Sequence, residues 1–476
     1  MNKDFASLAT YRVLTTDKIE KILEASKVLL EDIGVSVQDE RARELMLEYG
    51  AISGNGDIVK IPREVVAKAL GTTTMPVTLY NRNREPALVL DTQNVYFASC
   101  SSLPMYLDPY TGESVELNGE HLKALSRLVD AMPNIDAITT CSMFADHSIP
   151  ESIKAQMAYC YTMQNTVKHI NFVTNDYENC AAIIEMAAAI CGGYEELKKT
   201  PIVSCYAQPI SPLTHSVESC RKLMLCGETG VPIVYMPYSM MGATAPMSCA
   251  GSLVQCFAEV LSGLVLHQAH APGAPFIIGT MPTIMDMRTT IGVFAAPEMD
   301  LNIAASVEIS HYLGLPFYGT AGCTDSKSLD YQTVAEATMS IITSALSSAN
   351  LVHDIGYMDH GSIHSPELIV LCNELIAMVK PLRRGIPVND ESLCVDVIKA
   401  VGQGGHFLNH MHTLEHFGDV WYSDLYDHTM SGTVPTLNEK INKKTKDILE
   451  NYTPQPLTAE QEASVSAIMK KWLENT

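Results

Sequence analysis

The sequence predicts a (β/α)₈ barrel of the TIM type, with an amino-terminal α+β cap and a carboxyl-terminal helical extension. Eight short β-rich runs alternate with long helix-like stretches, and successive runs begin 30 to 43 residues apart. That interval suits a strand, a loop, a crossover helix and a return. An open doubly wound sheet is the competing fold, but no Gly-x-Gly-x-x-Gly motif follows an early strand. The strand candidates are 95–99, 136–143, 168–174, 202–208, 232–238, 275–281, 315–321 and 350–357.

The strand candidates have the composition of a parallel sheet that is covered by helices. Ile202-Val203-Ser204-Cys205-Tyr206-Ala207 and Phe276-Ile277-Ile278-Gly279-Thr280 consist mostly of apolar or small residues, as in strands buried on both faces. A proline stands at or near four strand starts, where a missing hydrogen-bond donor is tolerated. These prolines are Pro201, Pro232, Pro275 and Pro316.

The flanking segments have different patterns. Residues 17–48 form an amphipathic helical region, and a small β section follows at Asp57–Pro62, Pro76–Tyr80 and Ala87–Leu90. Further helices are expected after 385, with a glycine-rich joint at Gly402, Gly404 and Gly405 and a final helix from about 457. We therefore expect a cap over 1–92, a catalytic barrel over 93–385 and a helical extension over 386–476.

Composition excludes several classes of protein. Of the 476 residues 47% are apolar, and the formal net charge of −22 disfavours binding to nucleic acid or to an anionic membrane. The amino terminus opens with charge, and no uninterrupted apolar run reaches the roughly 20 residues of a membrane span. Thirteen cysteines are scattered without a Cys-x-x-Cys pair, which indicates a reduced, cytoplasmic protein.

The active site of such a barrel lies where its strands end, on the loops that follow them. Five tyrosines cluster at the ends of four strands, where their ring faces are candidates for a cage around a quaternary ammonium group, although each taken alone is better explained by packing. Gln208, Asp325, Lys327 and His353 are the polar candidates at these ends; a tight turn with solvated charges, or a hydrogen-bonded structural histidine, is the alternative. The tyrosines are Tyr206, Tyr235, Tyr238, Tyr318 and Tyr357.

A second cluster lies near the carboxyl terminus. His412-Thr413-Leu414-Glu415-His416 matches the His-x-x-Glu-His pattern of one zinc-protease class, so a zinc hydrolase that uses His412, Glu415 and His416 is an alternative function. Helical spacing puts His406 and His410 on one face and His412 and His416 on another. The sequence identifies no third ligand.

Several segments together resemble the trimethylamine methyltransferase family, specifically its members without pyrrolysine. The matching pieces are Gly319–Lys327 with Asp330 and Gln332, then Ala349–Tyr357, and Gly402-x-Gly404-Gly405-His406-Phe407-Leu408 with His412-Thr413. The resemblance implies a (β/α)₈ barrel that transfers a methyl group from an amine to the cobalt of a corrinoid (cobalamin) on a separate small protein. It implies no tightly bound metal, and a homo-oligomer is expected.

The resemblance also suggests a substrate and a site. Trimethylamine enzymes of this family place pyrrolysine in or near the strand-seven loop, at a position that aligns with Gly322 or Cys323, and this sequence has none there. That favours a betaine: glycine betaine, proline betaine or a relative such as carnitine. A quaternary nitrogen leaves as a neutral amine and requires no acid.

The implied site assigns roles to residues at the strand ends. Tyr206, Tyr318 and Tyr357 border the N-methyl groups beside Gly322 and Cys323. Gln208, Asp325 and His353 orient the substrate or the corrinoid. Lys168, His353 and Arg288 are candidates to bind the betaine carboxylate. A non-catalytic betaine-binding protein is a further alternative.

Overall fold

The computed structural model describes residues 8–146, 148–430 and 432–474 and contains a closed barrel of eight parallel strands. Each barrel strand lies within one of the eight predicted runs, so the predicted fold is confirmed. The barrel strands are β1 (Tyr96–Ser99), β2 (Ala137–Thr139), β3 (His169–Val173), β4 (Val203–Ala207), β5 (Ile233–Tyr235), β6 (Phe276–Gly279), β7 (Phe317–Thr320) and β8 (Leu351–Ile355).

Each strand pairs in parallel with the next one in the chain, and β8 closes the barrel on β1. Both faces of the strands are buried; Ile233, Val234 and Tyr235 of β5 are all fully buried. A layer of helices surrounds the barrel and carries the chain from each strand to the next. These helices are Gly119–Ala131, Lys154–Gln164, Tyr177–Cys191, Tyr194–Lys199, Val217–Thr229, Cys249–His270, Pro297–Tyr312, Tyr331–Ser347 and Pro366–Arg384.

Side-chain caps define where many of these helices begin. The Asp176 carboxylate accepts a hydrogen bond from the Asn179 amide at 2.7 Å, and Asp330 does the same for Thr333 at 3.1 Å. The hydroxyl of Ser365 accepts from the Leu368 amide at 3.1 Å. Such caps satisfy amides that the first helical turn leaves without a partner, and so they fix the length of the loops at the barrel mouth.

The amino-terminal cap is less helical than predicted. Gly34 ends the first helix with a φ of +75°, and a side chain there would meet the Val59 carbonyl, so a short strand interrupts the predicted helical region 17–48. The cap contains the helices Thr16–Asp32, Glu40–Tyr49 and Arg63–Leu70 and the strands Val35–Val37, Ile52–Ser53 and Ile58–Lys60.

A hairpin covers the amino ends of the barrel strands. It pairs Val77–Tyr80 with Pro86–Leu90. The Tyr80 amide donates to the Pro201 carbonyl at 3.0 Å, and the Tyr80 carbonyl lies 2.9 Å from Nδ1 of His169 at the start of β3. The hairpin therefore lies across this end of the barrel, with its Leu79, Leu88 and Leu90 side chains fully buried.

Two small sheets stand at the opposite end, around the barrel mouth. One contains Tyr238–Met241, Met281–Asp286 and Ile291–Val293, and the other contains Met105–Leu107, Ser114–Glu116, Tyr357–Met358 and Ile363–His364. They continue the chain directly beyond β5, β6 and β8, so they frame the strand ends at which the site was predicted.

One helix in the described residues, Cys249–His270, has the length and composition of a membrane span, but 78% of its most apolar stretch is buried inside the protein. Its buried Glu259 accepts hydrogen bonds from the Ser211 hydroxyl at 2.7 Å and the Leu213 amide at 2.9 Å. These contacts identify it as a core helix of the barrel.

The carboxyl-terminal extension has two parts. The helices Leu437–Asn451 and Ala459–Glu474 pack against the barrel helices, whereas the short helices Val395–Val401 and Met411–His416 contain no buried residue. The predicted glycine-rich joint lies between these two short helices, where Gly402 and Gly404 adopt φ values of +67° and +72°.

Candidate active site

Three rings meet inside the barrel, on β4, β7 and β8. The Tyr318 and His353 ring centroids are 4.5 Å apart, and the Tyr206 ring lies 6.3 Å from Tyr318 and 6.4 Å from His353. Tyr318 and His353 are buried, and Tyr206 is half-buried. The structure therefore brings together three of the residues that the sequence analysis selected.

Hydrogen bonds in the barrel interior hold these rings in place. The Tyr318 hydroxyl donates to Asn171 Oδ1 at 3.3 Å, and Nδ2 of Asn171 donates to the Ser204 hydroxyl at 2.8 Å. Nδ1 of His353 lies 2.7 Å from the Gly319 carbonyl, so it carries the proton and donates. The ring orientations are thus set by strands on three sides of the barrel.

A buried carboxylate, Asp354, lies directly beside this group. Its Oδ2 accepts a hydrogen bond from the Thr320 hydroxyl at 2.5 Å. Its Oδ1 lies 3.3 Å from His353 Nε2 and has no partner of good hydrogen-bond geometry among the described residues, although the Tyr357 hydroxyl approaches the carboxylate closely enough to lower its pKa. Because a buried acceptor without a partner is unfavourable, this oxygen is suited to a ligand that supplies positive charge.

The Asp354 carboxylate affects the pKa of three nearby tyrosine hydroxyls. Burial, and after it the Asp354 charge, raises the pKa of the Tyr206, Tyr318 and Tyr357 hydroxyls, which therefore stay neutral. Burial also raises the pKa of Asp354 itself, against the opposing effects of His353 and of the Thr320 and Tyr357 hydroxyls. Neutral ring faces around one carboxylate form an environment that attracts a cation.

A second aromatic group contains Phe294, Tyr238 and Tyr357. The Phe294 ring stacks with Tyr238 at a centroid distance of 6.1 Å and meets Tyr357 edge-on at 6.5 Å. The Cys323 side chain packs between Leu103, Tyr357 and Phe294, and its thiol donates to the Phe294 carbonyl at 3.2 Å. Burial raises the pKa of the Cys323 thiol well above its usual value, so it remains a neutral wall of the site.

Asp325 lies on the loop after β7, and its carboxylate binds the backbone of the second aromatic group. Its carboxylate accepts hydrogen bonds from the amides of Phe294 at 3.0 Å and Ala295 at 3.1 Å, and His360 Nδ1 lies 3.1 Å away. Asp325 is therefore placed to position Phe294. Gln208 is exposed, and its Oε1 accepts a hydrogen bond from the Tyr206 hydroxyl at 3.0 Å.

Asp300 adds a third carboxyl group near the mouth. It lies on the helix Pro297–Tyr312, is buried, and acts electrostatically on Cys323 together with Asp354 and Asp325. Burial raises its pKa to about 7. The mouth therefore contains a carboxyl group that titrates near neutral pH.

Other predicted residues lie away from the mouth. The Gly322 φ is +72°, and a Cβ there would lie 2.4 Å from Ile355 Cδ1 and 3.3 Å from Cys372 Sγ. This position faces the helix layer and supplies no side chain, while its neighbour Cys323 faces the mouth. Tyr235, which was predicted for the cage, also points outward, because its hydroxyl pairs with Nδ1 of His215 at 2.5 Å.

The two cations considered for a substrate carboxylate are placed elsewhere. Lys168 lies at the amino end of β3, where its ammonium donates to the carbonyls of Val129 and Met132 at 2.6 Å each. It caps a helix there, so its assignment to the mouth was wrong. Arg288 is exposed and makes two hydrogen bonds to Asp286 on the hairpin beyond β6.

Sequence reasoning missed Asp354, Phe294 and Asp300. Asp354 follows His353 in an otherwise apolar strand, and strict alternation allows only one of the two to face inward. The register of β8 against β1 shifts between Val352 and Ile355, and Asp354 adopts a φ of +73°, so both side chains reach the site. Two adjacent ionisable residues in a buried strand were the available signal.

The histidines of the carboxyl-terminal segment do not form one site. His412 and His416 share a face of the helix Met411–His416, with ring centroids 4.3 Å apart, as predicted. His412 Nε2 lies 3.1 Å from the Cys394 thiol, and His416 Nδ1 lies 2.8 Å from Asp419. The expected shared face of His406 and His410 is wrong, because neither residue lies within a helix.

Comparisons with known proteins agree over nearly the whole chain. A family model described as trimethylamine methyltransferase (MTTB) matches residues 4–475. A trimethylamine methyltransferase of Desulfitobacterium hafniense (strain DSM 10664 / DCB-2) is 30% identical, with 93% of this chain and 90% of the relative covered. A glycine betaine methyltransferase of Desulfitobacterium hafniense (strain Y51) is 28% identical, with 97% of each chain covered.

Solved structures give the same fold. The crystal structure of the Methanosarcina barkeri monomethylamine methyltransferase (MtmB) aligns with a TM-score of 0.53 and 11% identity, over 99% of this chain and 89% of the other. At this identity the likeness concerns the arrangement of strands and helices, and it supports the barrel described above.

Proposed function

Because the chain belongs to the trimethylamine methyltransferase family, we propose that this methyltransferase moves a methyl group from a quaternary amine to the Co(I) corrinoid of a partner protein. Glycine betaine, proline betaine and carnitine are the candidate donors. A relative named for glycine betaine, 28% identical over nearly the whole chain, supports this choice within the family. The corrinoid arrives with its own protein and is therefore a substrate.

The observation that carries the proposal is the buried Asp354 carboxylate, whose Oδ1 has no partner of good hydrogen-bond geometry among the described residues and whose charge acts on the Tyr206, Tyr318 and Tyr357 hydroxyls. A quaternary ammonium group has a fixed positive charge and no N–H donor, so ring faces and a carboxylate are what can recognise it. Each cation–π contact contributes about 0.5–2 kcal/mol, depending on desolvation. In this proposal Tyr206, Tyr318 and Tyr357 contact the N-methyl groups.

The reaction needs positioning more than proton transfer. The carbon–nitrogen bond breaks with its electron pair on nitrogen, which leaves as a neutral tertiary amine, and an electron pair of cobalt forms the new carbon–cobalt bond. No general acid is required, because the leaving amine is already neutral. In the proposal His353 and Asp325 hold the ring faces so that one N-methyl group points out of the mouth.

The positive charge on nitrogen decreases as the carbon–nitrogen bond breaks. Contacts to the cation therefore stabilise the bound substrate more than the transition state. Strong pairing with Asp354 would therefore slow the reaction. Burial moderates this pairing, because the raised pKa of Asp354 disfavours its charged form until a cation is bound.

The test is a methyl-transfer assay with reduced corrinoid and with each amine in turn. Conversion of Co(I) to methyl-Co(III), followed in the visible spectrum, is expected with at least one quaternary amine and not with trimethylamine. Binding of a betaine without any spectral change would instead identify a non-catalytic binding protein. Transfer from trimethylamine alone would contradict the proposed substrate class.

We further propose that segment 93–385 carries the chemistry, between a cap at 1–92 and an extension at 386–476, in a cytoplasmic homo-oligomer. Thirteen free cysteines support a reducing compartment. The extension supports self-association, because Ile386, Leu408 and Met411 are 85%, 86% and 60% exposed on a segment whose short helices bury no residue.

A further inference from the structure

Three cysteines from three different elements meet behind the barrel wall. Cys180 lies on the helix Tyr177–Cys191, Cys205 on β4 and Cys226 on the helix Val217–Thr229. Their sulfur atoms all lie within 4.8 Å of one another, and the Cys180 and Cys205 sulfurs are 3.8 Å apart. Among the described residues this is the one group of three potential metal ligands that converge so closely.

The group is part of the layer between the strands and the helices. Ser204 and Tyr206 point into the barrel, so Cys205 between them points outward. All three cysteines are fully buried. The three cysteines are 25 and 21 residues apart in the sequence, and this spacing matches no metal-binding motif.

A buried cation lies beside the three sulfurs. Lys222 stands one helical turn before Cys226 and is only 6% exposed. Its ammonium donates to the Thr174 carbonyl at 2.8 Å, and no carboxylate pairs with it among the described residues. Since a buried ammonium group requires a compensating negative charge, an anionic sulfur cluster is its natural partner.

We propose that Cys180, Cys205 and Cys226 bind a zinc ion as thiolates. Sulfur atoms bound to one zinc ion at about 2.3 Å lie about 4 Å apart, close to the observed Cys180–Cys205 distance of 3.8 Å, and the third sulfur lies within 4.8 Å of both. Three thiolates, one Zn²⁺ and the Lys222 ammonium sum to zero charge, whereas Cu⁺ would leave an uncompensated negative charge in the core. The charge balance therefore selects a divalent ion.

The electrostatics of the free site agree with this assignment. Burial opposes ionisation of Cys205, but hydrogen bonds from the thiols of Cys180 and Cys226, together with the Lys222 charge, lower its pKa well below the usual value. Zinc binding as thiolates would release the remaining thiol protons to solvent.

The proposed ion joins β4 to the two helices that flank it. The residue after Cys205 is Tyr206, so the ion would fix the strand that presents this ring to the barrel mouth. Its role is structural, since the site is closed to solvent and lies outside the barrel interior. Metal analysis therefore tests the site without an activity assay.

The experiment measures zinc by mass spectrometry in the full-length protein purified with reductant. About one zinc per chain, retained through dialysis against a chelator, is expected for the wild type. Cys226→Ser should lose the metal. Cys256→Ser is the matched control, because Cys256 is equally buried and lies outside the cluster, and it should keep the metal.

A second arm does not depend on the folding of a variant. Wild-type protein unfolded with chelator and refolded with Co²⁺ should develop an intense thiolate-to-cobalt charge-transfer band. Wild type that contains no stoichiometric zinc and shows no such band would overturn the proposal, as would copper in place of zinc. So would loss of the metal in a His412→Ala, His416→Ala double variant, which would place the ion on the carboxyl-terminal extension.

Discussion

Asp354 Oδ1 lies 3.3 Å from His353 Nε2 without accepting a hydrogen bond from it. Two adjacent residues of one strand reach the same side of the barrel wall because β8 is irregular at this point. The pair gives the mouth a carboxylate that its neighbours leave incompletely satisfied, and the proposed recognition of a cation depends on it.

We first predict the effect of Asp354→Asn on methyl transfer. The substitution keeps the shape and removes the charge, so KM for the quaternary amine should rise roughly 10-fold or more, because a desolvated ion contact exceeds the ~1 kcal/mol of an exposed pair. The kcat should hold or rise, since the cationic charge fades in the transition state. Steady-state kinetics measure both constants. Asp286→Asn, at an exposed ion pair with Arg288, is the control; an equal loss in both variants would contradict the assignment.

A pair of substitutions at Tyr206 separates the ring face from the hydroxyl. Tyr206→Phe keeps the face and loses only a hydrogen bond to the exposed Gln208, so affinity should change little. Tyr206→Leu removes the face and should weaken binding about 5- to 30-fold, in line with about 1–2 kcal/mol for a desolvated cation–π contact. Calorimetric titration with the betaine distinguishes them. Equal affinities in the two variants would show that the ring does not contact the cation.

The pKa of Asp300 predicts a dependence of stability on pH. Burial raises this pKa in the folded protein to about 7, well above that of an unfolded aspartate near 3.9. The folded state therefore holds the proton more tightly, and Asp300 should reduce stability by up to a few kcal/mol as pH rises from about 4 to about 7. Urea unfolding at pH 5 and pH 8 should show that Asp300→Asn removes this decrease. The exposed Asp390→Asn variant should behave like wild type.

Two glycines with the same backbone conformation test the packing behind the strand-seven loop. Gly322 and Gly314 have φ values of +72° and +73°, but a Cβ meets Ile355 at 2.4 Å at the first position and open space at the second. Gly314→Ala should cost about 1–2 kcal/mol from backbone strain alone. Gly322→Ala should cost about 1–3 kcal/mol more through overpacking. Denaturant unfolding measures the difference, and similar losses would mean that the loop adapts.

The fold could be predicted from the sequence because eight strand-like runs with similar spacing all indicate the same barrel. All eight barrel strands lie within predicted runs, since buried parallel strands have continuous apolar composition and their spacing admits a helix between each pair. The missed features depend on local backbone details. The orientation of Tyr235 depends on which residues of β5 face the barrel interior. The orientation of Asp354 depends on the register shift in β8. The cluster at Cys180, Cys205 and Cys226 depends on tertiary packing alone.

The hairpin across the amino end of the barrel has a kinetic consequence. The hairpin Val77–Tyr80 and Pro86–Leu90 covers that end, so both the small donor and the macrocycle must use the same entrance. An amine seated beneath a docked protein cannot leave until that protein departs. We therefore expect a compulsory sequence of events, amine first and corrinoid protein second, with departure in the reverse order. Initial-rate patterns with dead-end inhibitors should show the demethylated amine as the last product released.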